Sequence, residues 1–162
     1  TIFNMIGPLS SPALVKKQVV GVFDKKLLNI FANALKNLGI TNAWIVNSED
    51  GLDEISPYSI TNVCQLKNGE ISNITIDPVQ LKINTQGFNT ILGKDADYNS
   101  QKIIEIFKGI DNDFSIAVCL NAAAGLMVSE NKNDFKDAYQ ETRDHILSGK
   151  TLDHLKKIQN GN

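Results

Sequence analysis

Between Lys17 and Phe23 the chain reads KQVVGVF, a short β-branched run bounded by charge, which is the pattern of a buried strand. Asp24 follows as a candidate N-cap, and Leu27, Phe31, Ala34, Leu35 and Leu38 then recur at helical spacing up to Gly39. A second apolar run, Asn42 to Val46, completes a strand–helix–strand unit whose right-handed crossover implies parallel strands. Past Asn47 the chemistry is that of turns, ending in Leu52-Asp53-Glu54-Ile55-Ser56-Pro57. Ile60–Leu66 and Glu70–Ile76 flank Lys67-Asn68-Gly69, the signature of an antiparallel hairpin. Asp77-Pro78 would open at most a short helix, and Lys82 to Lys94 shows no period and reads as loop.

The final third is helical by the same criteria. A helix starting at Asp95 or Asp97 carries Ile103, Ile104, Ile106 and Phe107 and ends near Gly109. Asp111-Asn112-Asp113 caps a run from Phe114 to Ser129 that is apolar nearly all round and therefore belongs inside the structure. Asp134 opens a helix with Phe135, Ala138, Tyr139, Thr142 and Ile146 on one face, stopping at Ser148-Gly149. Leu152, Leu155 and Ile158 mark the last amphipathic segment. The expected class is α/β: a mostly parallel sheet with an antiparallel hairpin, covered by helices, and a helical C-terminal third.

Composition narrows the function. The 162 residues hold 16 Lys+Arg against 18 Asp+Glu, too balanced for a nucleic-acid grip, and Arg143 is the only arginine. No apolar stretch approaches a membrane span. Cys64 and Cys119 sit in apolar surroundings and read as small core residues of a reduced, cytoplasmic protein.

Asp50-Gly51-Leu52-Asp53-Glu54 follows directly after a strand expected to be parallel, where open α/β sheets place their ligand crevice. Two adjacent carboxylates are hard oxygen ligands, and Mg2+ takes one or two of these together with substrate phosphates and water. An acidic surface loop without metal has the same composition, but apolar Leu52 and Ile55 flanking the acids argue against a simply solvated turn. Gly7-Pro8-Leu9-Ser10-Ser11-Pro12-Ala13 is either a structural turn or a wall that lets a flat substrate approach the backbone. His145 and His154, nine residues apart, lack the spacing of a helical metal pair. Dinucleotide, P-loop, nucleophile-elbow and zinc motifs are all missing.

Taken together, Thr1-Ile2-Phe3-Asn4, Gly7-Pro8-Leu9 with Pro12-Ala13, Gln18 to Phe23, Gly51 to Pro57, Asn121-Ala122-Ala123 and Ser148-Gly149-Lys150 resemble the anthranilate phosphoribosyltransferase family along essentially the whole chain. The resemblance implies transfer of phosphoribosyl from phosphoribosyl pyrophosphate to anthranilate in tryptophan biosynthesis, in a cytoplasmic homodimer. It implies that Asp53 and Glu54 bind Mg2+ on the diphosphate and that Gly7 and Pro8 line the anthranilate channel. The 162 residues would correspond to the C-terminal part of the large α/β domain. The family's helical N-terminal domain, its glycine-rich phosphate loop and the arginine that reads anthranilate's carboxylate would lie upstream, so the chain alone is expected to be inactive. One departure is Ser11, where the family commonly has asparagine. The alternatives are a related transferase of the pyrimidine nucleoside phosphorylase type and a non-catalytic binding or oligomerisation domain.

Overall fold

A computed structural model describes residues 5–85 and 87–161. The opening Thr1-Ile2-Phe3-Asn4 of the family pattern therefore lies outside the described residues. After a short 3-10 turn at Gly7–Leu9, the chain forms β1 (Lys17–Gly21), α1 (Leu27–Asn37), β2 (Asn42–Ser48), β3 (Thr61–Lys67) and β4 (Glu70–Ile76). A second 3-10 turn at Phe88–Ile91 precedes α2 (Ala96–Phe107), α3 (Asp113–Val128), α4 (Phe135–Leu147) and α5 (Lys150–Gln159).

The four strands lie in the order β1-β2-β3-β4. β2 is buried along its whole length because helices cover both sides of the sheet. Its alternating side chains enter two cores, as a period of two requires. Ala43 and Ile45 join Val20, Cys64 and Leu66 against Leu28, Phe31, Ala32 and Leu35 of α1. Trp44 and Val46 join Val63 and Ile76 against α3 and α4, through Cys119, Leu120, Ala123 and Ala138. The apolar α3 is thus a central packing element, with Val118, Ala122 and Gly125 on its exposed side.

The α/β class, the β1–α1–β2 crossover, the hairpin and the helical final third are as expected. Parallel pairing is narrower than expected, however. Among the described strands only β1–β2 runs parallel, while β2–β3 and β3–β4 are antiparallel. The reason is the connection: residues 49–60 return the chain to the sheet without a crossover helix, which a parallel neighbour would need.

Two caps also differ. Asp24 does not cap α1; its carboxylate accepts from the Lys26 N–H at 2.9 Å and makes a turn one step earlier, with the helix beginning at Leu27. Asp77 likewise accepts from the Val79 N–H at 2.9 Å, and Asp77-Pro78 opens turns rather than a helix. The hairpin turn has φ 50° at Asn68 and 85° at Gly69, the paired positive values of a type I′ turn. Asn112 caps α3 in a reciprocal box with Ser115.

Candidate functional site at the acidic loop

The segment between β2 and β3 is held by buried polar groups. Ser48 and Thr61 face each other in the β2–β3 register, and their hydroxyls are 2.6 Å apart. Ser48 Oγ donates to the Glu54 carbonyl at 2.6 Å, and the Ser56 N–H reaches Ser48 Oγ at 3.2 Å and Thr61 Oγ1 at 3.1 Å. All three hydroxyl residues are almost fully buried. From the other side, Asn121 of α3 grips one residue of the loop at both polar groups. Its Oδ1 accepts from the Ile55 N–H at 2.9 Å, and its Nδ2 donates to the Ile55 carbonyl at 3.2 Å.

Ile55 itself enters the core with 1% exposure, which explains an apolar residue beside two acids. Asp50 is engaged within the loop: one oxygen accepts from Ser56 Oγ at 2.5 Å and the other from the Leu52 N–H. The end of β1 completes the seat. A Cβ at Gly21 would stand 1.7 Å from the Asp53 carbonyl oxygen, so only glycine lets the two backbones meet.

This framework leaves Asp53 and Glu54 exposed, and neither carboxylate receives a hydrogen bond or ion pair from the described residues. The Glu54 pKa is raised from its ordinary 4.5, first by desolvation of the carboxyl and second by the Asp53 charge beside it. The two acids thus stand side by side at the sheet's rim with no cationic partner among the described residues. No group of three or more His, Cys, Asp or Glu side chains is arranged for a metal among the described residues. Two adjacent carboxylates are hard oxygen donors, the type of ligand that Mg2+ takes one or two of, beside phosphate oxygens and water.

Downstream, Tyr58 packs edge-on against Phe88 and its hydroxyl lies 2.8 Å from Thr90 Oγ1. Thr90 Oγ1 in turn donates to Asp113 at the start of α3, tying the loop's exit to the helix that grips its centre. Of these supports, Gly21 and Asn121 appear in the family pattern, whereas Ser48 and Thr61 at strand ends, Tyr58 in the connection and Thr90 in the second 3-10 turn carried no signal beyond their hydroxyls.

Gly7 and Pro8 lie elsewhere. Gly7 is exposed with open space around it. Pro8 lines a cavity of about 120 Å³ with Leu35, Leu38 and Ile40, at the end of α1 that leads into β2. Asp53 meets the opposite end of β1, so the two candidate groups are not brought together. His145 and His154 are both exposed. Both cysteines are free and buried, and burial pushes the Cys119 thiol up to about 11, the opposite of an activated nucleophile. No helix of the described residues is long and apolar enough to cross a membrane.

The fold is that of a known class. Residues 1–152 match the glycosyl transferase family, a/b domain, and the chain belongs to that family. Among curated relatives, the anthranilate phosphoribosyltransferase of Pelagibacter ubique (strain HTCC1062) is 70% identical over 160 residues, covering 99% of this chain and 48% of the relative. That of Clostridium kluyveri is 40% identical over 162 residues, covering 100% and 48%. The chain spans about half the length of these relatives. Among solved structures, anthranilate phosphoribosyltransferase from Thermus thermophilus superposes with a TM-score of 0.87 at 25% identity, covering 97% of this chain and 46% of that one. The Saccharomyces cerevisiae enzyme in complex with PRPP and Mg gives 0.84 at 23% identity, covering 96% and 45%, and shares the fold.

Proposed function

We propose that this chain supplies the acidic-loop half of an anthranilate phosphoribosyltransferase, within the C-terminal part of the large α/β domain. The reaction joins phosphoribosyl pyrophosphate to the amine of anthranilate, releasing pyrophosphate, as a step of tryptophan biosynthesis. The supporting observation is the pair Asp53 and Glu54, left without partners while Ser48, Asp50, Ser56 and Asn121 around them are all engaged. Breaking the ribose–pyrophosphate bond builds negative charge on the leaving group, and bound Mg2+ would supply the opposing charge there. Asp53 and Glu54 would hold that ion; Ser48, Thr61, Asn121 and Gly21 keep the two carboxylates on one rigid rim, so little reorganisation is needed. Gly7, with nothing crowding its backbone, and Pro8 are assigned to the path of anthranilate. Anthranilate's amine is already a fair nucleophile, so positioning carries the rest. A cytoplasmic homodimer is the assembly this reading carries.

The test is the double variant Asp53→Asn with Glu54→Gln in protein carrying both halves of the enzyme, assayed for anthranilate consumption while magnesium is titrated. A loss on the order of a hundredfold, with the magnesium dependence displaced to higher concentration, is expected. An unchanged rate and unchanged magnesium dependence would refute the assignment. The 162 residues alone should not consume anthranilate, because neither a glycine-rich phosphate cradle nor a second arginine is among them.

A further inference from the structure

With no residue of the acidic loop in its wall, a cavity of about 530 Å³ opens on the α3–α4 side of the sheet, between strands β3 and β4 and the N-terminus of α4. Its size falls in the range of small-molecule sites. The apolar wall is Trp44, Ile76, Leu81, Met127 and Phe135, with the Trp44 and Phe135 rings 5.7 Å apart. Charge of both signs lines the rest. Lys67 and Lys136 form no ion pair among the described residues, while Lys132 is paired with Glu141 at 2.5 Å. Asp77 and Asp134 each accept one backbone N–H, from Val79 and Asp137, at 2.9 Å.

A second, independent feature adjoins this cavity. Trp44, Gln65, Lys67 and Met127 also line a niche of about 10 Å³, the size of a single water or ammonium group. Its wall includes Asn42, which is 4% exposed. The Asn42 Nδ2 donates to the Val128 carbonyl at 3.4 Å, but its buried Oδ1 has no hydrogen-bond donor. A buried acceptor left alone is costly, so it marks a place where a donor belongs.

We propose that this cavity is a second ligand site, distinct from the acidic loop, for a zwitterion with an apolar body: the chemistry of an apolar α-amino acid. The ammonium enters the adjoining niche, whose wall holds the unpaired Asn42 Oδ1, the carboxylate lies between Lys67 and Lys136 at the α4 N-terminus, and the apolar body rests on Trp44, Leu81 and Met127 in the cavity. Either charge alone would leave one side of the cavity unanswered. The proposal stands apart from the transferase reading, since none of these residues belongs to the acidic loop.

Trp44 is the only tryptophan in the chain, so its fluorescence reports on the site directly. The probes are L-phenylalanine, 3-phenylpropanoate, which lacks the ammonium, and phenethylamine, which lacks the carboxylate. L-Phenylalanine is expected to change the emission saturably, with each single-charge analogue binding about tenfold more weakly. Lys67→Met, at an exposed position, should weaken L-phenylalanine and 3-phenylpropanoate but leave phenethylamine unchanged. No saturable change with L-phenylalanine would overturn the proposal and leave Asn42 to a buried water. Equally tight binding of either analogue, or an unaltered Lys67→Met profile, would overturn it as well.

Discussion

Glu54 carries a conflict between its charge and its surroundings. Its carboxyl holds the proton more tightly in the folded chain than in the unfolded one, because desolvation and the Asp53 charge oppose ionisation. Between the unfolded and folded pKa values the native state therefore binds more protons, and stability falls as pH rises through that window. Glu54→Gln should raise the thermal midpoint near neutral pH, with the gain disappearing in acid, where the native glutamate is itself neutral. On the proposed reading the same variant should also weaken magnesium binding, measured by titration calorimetry. A midpoint unaltered at neutral pH would contradict the electrostatic account. Gly21 is the complementary case, set by space rather than charge. Gly21→Ala would force a methyl into the Asp53 carbonyl at 1.7 Å, and overpacking of this kind is unfavourable by about 1–3 kcal/mol. Urea unfolding should show that loss, together with a drop in magnesium affinity, because the atom displaced belongs to the acidic loop.

At the scale of elements, the sequence was legible wherever one local pattern dominated. Alternation and a paired turn residue sufficed for β3, β4 and the Asn68-Gly69 connection, and unbroken apolarity sufficed for α3 as an interior helix. The direction of β3 relative to β2 was not legible, since a twelve-residue connection carries no periodicity that states whether the chain crosses over or doubles back. The acidic loop was visible as two carboxylates after a strand, but its rigidity depends on partners far along the chain. Asn121 is 66 residues from Ile55, and no spacing rule links them. Asn121→Ala would leave the Ile55 N–H and carbonyl without that partner, and a destabilisation of about 1–3 kcal/mol is expected. Magnesium affinity should fall with it, whereas a helix-only role for Asn121 would lower stability and leave the metal untouched. The amide also donates to the Ala117 carbonyl, so titration of both quantities is what separates the two outcomes.

For the molecule as a whole, two cores share one sheet, and the order in which they form follows from the antiparallel return of β3. β2, β3 and β4 are consecutive in sequence and adjacent in space, so three of the four strands can pair outward from the Asn68-Gly69 turn across connections shorter than the β1–β2 crossover. Pairing of β1 with β2 must wait until α1 has closed the longer crossover, and loop closure of that kind slows assembly. The hairpin is thus expected to be organised in the rate-limiting ensemble, and the α1 core to solidify afterwards. Gly69→Ala, at φ 85°, should chiefly retard refolding after denaturant dilution, whereas Leu35→Ala should chiefly hasten escape from the native basin. Stopped-flow traces with the opposite assignment would reverse the order of events. A newly made chain, on this view, carries a nearly complete sheet before its acidic rim has been set against Gly21, so the cation affinity proposed for that rim would arrive only at the last stage of its maturation.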